Sequence, residues 1–213
     1  MMAVTLDEGT DSHFRVGAFE LARLRTCFID QGISLIRVFR TAADIANEDL
    51  IESHREQVEP KIRADFAKIW NVSGTSRLIS TLHQLSTKHK MTTGKWLISR
   101  PWDKADEAFD SIKNALIDGK FSDEVRFIKV YGRQEDEKNP HFRAANADTN
   151  LSYNAMISIM TKNWTNKEKT MQVAMVAKEA GVDFKLRYKP DICTTLEIYR
   201  GNGYGIRPTV YTI

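Results

Sequence analysis

In the segment DFKLRYKPD, Lys185, Arg187 and Lys189 alternate with Phe184, Leu186 and Tyr188. Successive side chains of an extended chain point to opposite faces, so the three cations share one face and the three apolar residues the other. Cations fixed on a rigid sheet suit a phosphate group, whose oxygens accept charge-assisted hydrogen bonds from ammonium and guanidinium. The alternative is a solvated outer face. Lys95 and Arg100 lie on a second strand candidate and its exit, GKWLISR. If the two strands are neighbours, the two sets of cations converge. Near the C-terminus, Tyr204 and Arg207 stand in GNGYGIRPTVY. An aromatic beside an arginine can stack a base and hold its phosphate, or the segment can simply close a sheet edge. The expected ligand-binding residues are therefore Lys95, Arg100, Lys185, Arg187, Lys189, Tyr204 and Arg207.

Other chemistry is sparsely represented. The five histidines, at positions 13, 54, 83, 89 and 141, form no H-x-x-x-H or H-E-x-x-H pattern. There is no P-loop, no G-x-G-x-x-G after a strand and no G-x-S-x-G elbow. Cys27 and Cys193 are far apart, too few for a disulfide framework and without metal-ligand spacing. No cofactor and no metal site is expected. His89 reads as a solvated histidine in a basic loop, and Cys193 lacks a flanking base to activate it.

The 213 residues carry a net charge of +3, which permits anion binding without demanding it. Charged residues make up 28% and the hydrophobic set 42%, the balance of a globular chain able to build a core. No run approaches the roughly 18 apolar residues of a membrane span, and the N-terminus has no secretory pattern. The chain is expected to be intracellular and soluble, cytoplasmic or nuclear, with no membrane partner. Its partners would be RNA or a nucleotide, or a phosphorylated peptide.

The elements that must position the cations follow from periodicity. Residues 1–13 read as a flexible tail and 14–213 as one α/β domain, mainly helical over 14–90, with the sheet and its helices in 91–213. Leu21, Leu24 and Phe28 are spaced for one helical face, and ISLIRVFR allows a short strand. Pro60 fits the first residue of a new helix with Ile62, Phe66 and Ile69 on one stripe. Strands are expected at 94–99, 124–131, 154–161 and 183–189, in one mostly antiparallel sheet. Helices at 103–118 and 165–180 should cover one face, capped at Asp103 and by a Thr165–Glu168 capping box. Gly119 and Gly181 should end them. The polar stretch 133–152 reads as a long loop, a lid over anions or a disordered segment.

The order of these elements, with TGKWLIS, the YKPD segment and the terminal G-N-x-Y-x-x-R-P-x-x-Y, resembles the Bles family, named for basophilic leukaemia expression. The resemblance implies the curved, mostly antiparallel sheet backed by helices of the mRNA cap-binding initiation factor. Gly94-Lys95-Trp96-Leu97-Ile98 matches a strand of those factors in which the tryptophan is structural. Their base is sandwiched by two other tryptophans, one followed by glutamate, and HQLSTKHKMTT carries no such pair. A second resemblance, at Lys95–Ser99, Trp164, Gly181 and Lys189-Pro190-Asp191, is to bacterial phosphothreonine lyases. It implies Lys95 as the candidate catalytic residue if the chain is an enzyme. Leu97, however, stands at the lyase's acid histidine and Asn163 at a lysine before the tryptophan. A protein-interaction module is the third class, so the expectation leans away from an enzyme.

Overall fold

The computed structural model describes residues 3–7, 14–16, 35–39, 42–73, 78–131 and 154–213. Three strands open the chain: β1 (Ala3–Asp7), β2 (Phe14–Val16) and β3 (Leu35–Phe39). Helices α1 (Ala42–Ser73) and α2 (Leu78–Lys88) follow. Then come β4 (Gly94–Pro101), a single 3-10 turn (Trp102–Lys104) and α3 (Ala105–Ile117). Strands β5 (Val125–Tyr131) and β6 (Asn154–Thr161), helix α4 (Lys167–Glu179), β7 (Arg187–Pro190), the short α5 (Asp191–Thr195) and β8 (Tyr211–Thr212) complete it.

The eight strands among the described residues form one antiparallel sheet in the order β2-β1-β3-β5-β6-β4-β7-β8. The four strands expected from the sequence are therefore in one sheet. Trp96, Ile98, Ile128, Ile157 and Ile159 share one face and are buried with Phe109, Ile112, Val173 and Ala174 of α3 and α4. The expected stripe on α3, from Ala105 to Leu116, is buried throughout. Trp96 Nε1 donates to Thr170 O across 2.9 Å, tying the strand to α4 while satisfying the one polar atom of a fully buried ring. Gly94 is required by close approach: a Cβ there would lie 2.8 Å from ring carbons of Tyr188. Helices α1 and α2 extend the same core through Ile62, Phe66, Leu82 and Leu85 around Trp164.

Several local expectations need correction. Ala3–Asp7, placed in a flexible tail, pairs with both β2 and β3, so the part before residue 90 contains strands as well as helices. Pro60 begins no helix; it lies inside α1, where burial of Ile62 and Phe66 offsets its missing N–H. Helix α3 starts at Ala105 after Lys104, without a side-chain cap from Asp103. The cap of α4 is Asn166, whose Oδ1 accepts from Lys169 N at 3.1 Å, not Thr165. Thr165 instead bonds to Asn163 Oδ1. Gly181 does end α4 at φ 98°, and Gly119 follows α3 at φ 70°. Strand β7 begins only at Arg187, leaving Lys185 outside it. The helix expected around Leu21–Phe28 and the loop 133–152, with His141, lie outside the described residues. Among the described residues no helix is long and apolar enough to cross a membrane.

Candidate functional site

Register decides which cations meet. Directly paired residues in neighbouring strands project to the same face. Lys95 pairs with Lys189, and Leu97 with Arg187. Leu97 also pairs with Ser158, Ser158 with Lys129, and Lys129 with Arg37. One row across the sheet therefore reads Arg37, Lys129, Ser158, Leu97, Arg187. The next row reads Phe39, Phe127, Met160, Lys95, Lys189. Both rows lie on the face turned away from α3 and α4. Phe39, Phe127 and Met160 are buried there under Ile45 of α1. The cations thus bracket a small apolar patch.

Of the residues expected from the sequence, Lys95, Arg187 and Lys189 come together on this face. Arg37 and Lys129 join them and were not foreseen, because their place depends on the pairing of β3 with β5. Arg100 does not join. It has the parity of Trp96 and Ile98, stacks over the Phe184 ring and pairs with Asp183 at 3.3 Å. Lys185 is exposed outside the strand. Tyr204 is turned onto α1, edge-on to Phe66 and Trp70 at 5.3 and 5.2 Å. Arg207 is exposed on the same C-terminal segment. That segment is organised by Asn202, which donates to Tyr199 O and Ile206 O and accepts from Tyr204 N.

The electrostatics centre on Asp191, fully buried at the start of α5. Lys95 Nζ bonds to its Oδ1 at 3.1 Å, and Arg55 of α1 lies 3.6 Å from Oδ2. Burial by itself would push this carboxyl up, but Lys95 and then Arg55 outweigh it and hold the group well below the usual carboxylate range. Lys189 faces the opposite balance. It is 7% exposed, and burial first, then the charge of Lys95, bring its ammonium down to about 8. Its Nζ sits 3.8 Å from the centre of the Tyr199 ring, a cation–π contact that shelters it without neutralising it. Burial pushes the Cys193 thiol up to about 12, so it is a core residue and no nucleophile at neutral pH.

The remaining sequence candidates are structural. Trp96 and Trp164 are fully buried and cannot stack on a base. Trp164 Nε1 donates to Ser86 Oγ at 3.0 Å. His89 is not solvated: it bonds to Asp65 Oδ2 at 2.9 Å. Leu97 has an aliphatic side chain that cannot donate a proton, and Asn163 Oδ1 serves the Thr165 turn. Elimination of phosphate needs a base on the α-proton and an acid on the leaving oxygen, assistance worth about 10²–10⁴-fold. A phosphothreonine peptide incubated with the protein is therefore expected to keep its mass. Loss of phosphoric acid by mass spectrometry, abolished in Lys95→Ala, would make the chain an enzyme after all.

No family model matches the chain. Among solved structures it is similar to Ascaris suum eIF4E-3, a complex with m2,2,7G cap, at TM-score 0.51 and 11% identity over 100% of this chain and 94% of that one. It is also similar to a schistosome eIF4E complexed with m7GpppA and 4E-BP, at TM-score 0.50 and 12% identity, covering 100% and 95%. At such identity the likeness is one of fold: the curved antiparallel sheet with helices expected of a cap-binding-initiation-factor-like α/β protein.

Proposed function

We propose that the chain binds a phosphate-bearing ligand, a nucleotide or RNA, on the sheet face that carries Arg37, Lys129, Arg187, Lys95 and Lys189. The observation that carries this reading is the register, which sets these five cations, drawn from four strands, in two adjacent rows. A sheet fixes the spacing of its side chains, so little ordering entropy remains to be lost when phosphates bind. The cap ligands in the complexes of both eIF4E neighbours support a nucleotide as the ligand of a protein of this fold. Base recognition would differ from a sandwich between tryptophans, because Trp96 and Trp164 are in the core and Trp70 is packed with Phe66 and Tyr204. The ligand is held through its phosphates. The KWLIS strand, the KPD turn and the terminal pattern support placing the chain with the Bles proteins, and a cytoplasmic or nuclear location goes with this reading.

The test is binding of a short single-stranded RNA and of a capped dinucleotide, followed by fluorescence anisotropy at several salt concentrations. Arg37→Gln with Arg187→Gln is expected to weaken binding by about tenfold or more and to reduce the salt slope by about two units, one for each phosphate no longer neutralised. Stability should change by less than about 0.5 kcal/mol for each solvent-facing substitution. Binding that is independent of salt, or identical in the double variant, would return the row to a solvated face.

A further inference from the structure

A second basic site lies at the end of the sheet, next to the row that carries Lys95: its Arg55 shares Asp191 with Lys95. Helix α1 crosses the ends of β4, β5 and β6 and leaves a cavity of about 280 Å³ beneath it. Arg55 from α1, Lys90 before β4, Arg126 from β5 and Lys162 after β6 line it. The cavity floor is unusual because Arg126 is a charge taken out of water. The β-bulge between Val125 and Phe127 turns it out of the ladder and toward α1. Arg126 is 3% exposed, and Glu48 accepts from one of its terminal nitrogens at 2.5 Å. Its Nε, and the Nε of Arg55 beside it, have no hydrogen-bond partner among the described residues. A buried guanidinium N–H left unpaired costs free energy that an anionic oxygen would recover.

The acidic groups nearby are Asp44 in the lining, Glu48 on Arg126, and Glu52 and Asp191 on Arg55. All three ion-paired carboxylates engage the terminal guanidinium nitrogens and leave both buried Nε–H groups without a partner among the described residues. The ammonium groups of Lys90 and Lys162 at the rim are exposed. The rest of the wall combines apolar Leu50, Ile51 and Met91 with polar Asn47, His54 and Thr93. A volume at the lower limit of small-molecule pockets, roughly 300–1,000 Å³, excludes a strand of nucleic acid and admits a small molecule. We propose that this cavity is a binding site for a small phosphate monoester, its dianion held between Arg126, Arg55, Lys90 and Lys162 and its organic part against Ile51 and Met91. The site adjoins the sheet face through the Asp191 that Arg55 and Lys95 share. Its test uses a small probe and variants outside the two rows, so its failure is read separately from that of RNA binding.

The probe is phenyl phosphate, which combines a dianion with a compact ring. Titration calorimetry at physiological salt is expected to give a Kd below about 1 mM. Inorganic phosphate should bind more weakly, and phenol should not bind. Amide shifts in a ¹⁵N spectrum should concentrate in residues 44–55, 90–93, 126 and 162. Lys162→Gln with Lys90→Gln changes two exposed side chains and so keeps the fold. It should lower the affinity for phenyl phosphate at least tenfold, in keeping with the strength of hydrogen bonds to charged groups. Arg126→Lys, which retains the charge but loses the Nε donor, should lower it as well. No heat with phenyl phosphate up to about 10 mM, shifts confined to other residues, equal binding of phenol, or unchanged affinity in the Lys162→Gln, Lys90→Gln protein would each overturn the assignment.

Discussion

Replacing Asp191 by asparagine is expected to destabilise the protein by about 3 kcal/mol at pH 7, and by less in acid. The substitution preserves shape and removes only the charge. In the native protein that carboxylate is fully buried and answers two cations from distant parts of the chain, Lys95 on β4 and Arg55 on α1. Removing one partner of a buried ion pair leaves the other uncompensated, a loss of about 3–5 kcal/mol. The lower end applies here because Lys95 and Arg55 keep some access to water. The pH dependence gives the sharper test. The folded carboxyl is held below its unfolded value of about 3.9. Its contribution is therefore complete above that value and is lost as pH falls toward the folded one. Between pH 7 and pH 3 the gap between the native protein and Asp191→Asn should close by about 1 kcal/mol. Urea unfolding followed by tryptophan fluorescence at both pH values measures it. A gap that does not depend on pH would mean that the carboxylate is not the charge holding α1, β4 and α5 together.

Much of the helix-covered half of the sheet is legible in the sequence, for a local reason. The alternation through Phe184, Leu186 and Tyr188, the stripe from Ala105 to Leu116 and the stops at Gly119 and Gly181 are written in consecutive residues. Each depends only on the period of an element or on the freedom of one glycine. The cap of α4 lies one residue beyond the expected Thr165 because Thr165 and Asn166 are both good caps, and the choice falls to Asn163, which engages Thr165. The site is less legible because its geometry is a matter of pairing. Arg37 reaches the cationic row only through β3 beside β5, and no local pattern marks that neighbour. Arg100 suggests a partner of Lys95 because the two are near in sequence, yet their separation of five residues puts them on opposite faces. Asp191 stands out in the sequence only as the end of a KPD motif, and the burial that makes its charge matter comes from α1, α5 and β4 meeting around it. For Lys189, alternation predicts the correct face. What alternation cannot show is that Tyr199 and α5 cover that end of the strand.

That covering makes Lys189 the residue where stability and the proposed function pull in opposite directions. Lys189→Met keeps a long flexible stem of similar shape and removes the ammonium. The folded ammonium titrates at about 8, below its unfolded value of about 10.4. A lysine whose folded value is depressed costs stability at every pH where it is charged in both states. The penalty is complete below about pH 8 and fades as pH rises toward 10.4, so the native protein should gain stability across that window. Removing the charge should stabilise the protein at pH 7 by about 1–3 kcal/mol, after the cation–π attraction to Tyr199 is subtracted. Above pH 10 the two proteins should converge. Binding should move the other way. If the sheet face holds phosphates, removing the charge-assisted hydrogen bond of its most sheltered cation should weaken RNA or nucleotide binding by about tenfold. The native protein should also lose affinity as pH rises past about 8, by about tenfold in all, while Lys189→Met stays flat. The neighbouring groups do not imitate this profile: the Asp191 carboxyl titrates far below the window and the Cys193 thiol near 12. A variant that is more stable yet binds less marks a charge kept buried for its ligand. A variant that is more stable and binds equally well would show that Lys189 takes no part, and the phosphate reading would then rest on Arg37, Lys129, Arg187 and Lys95.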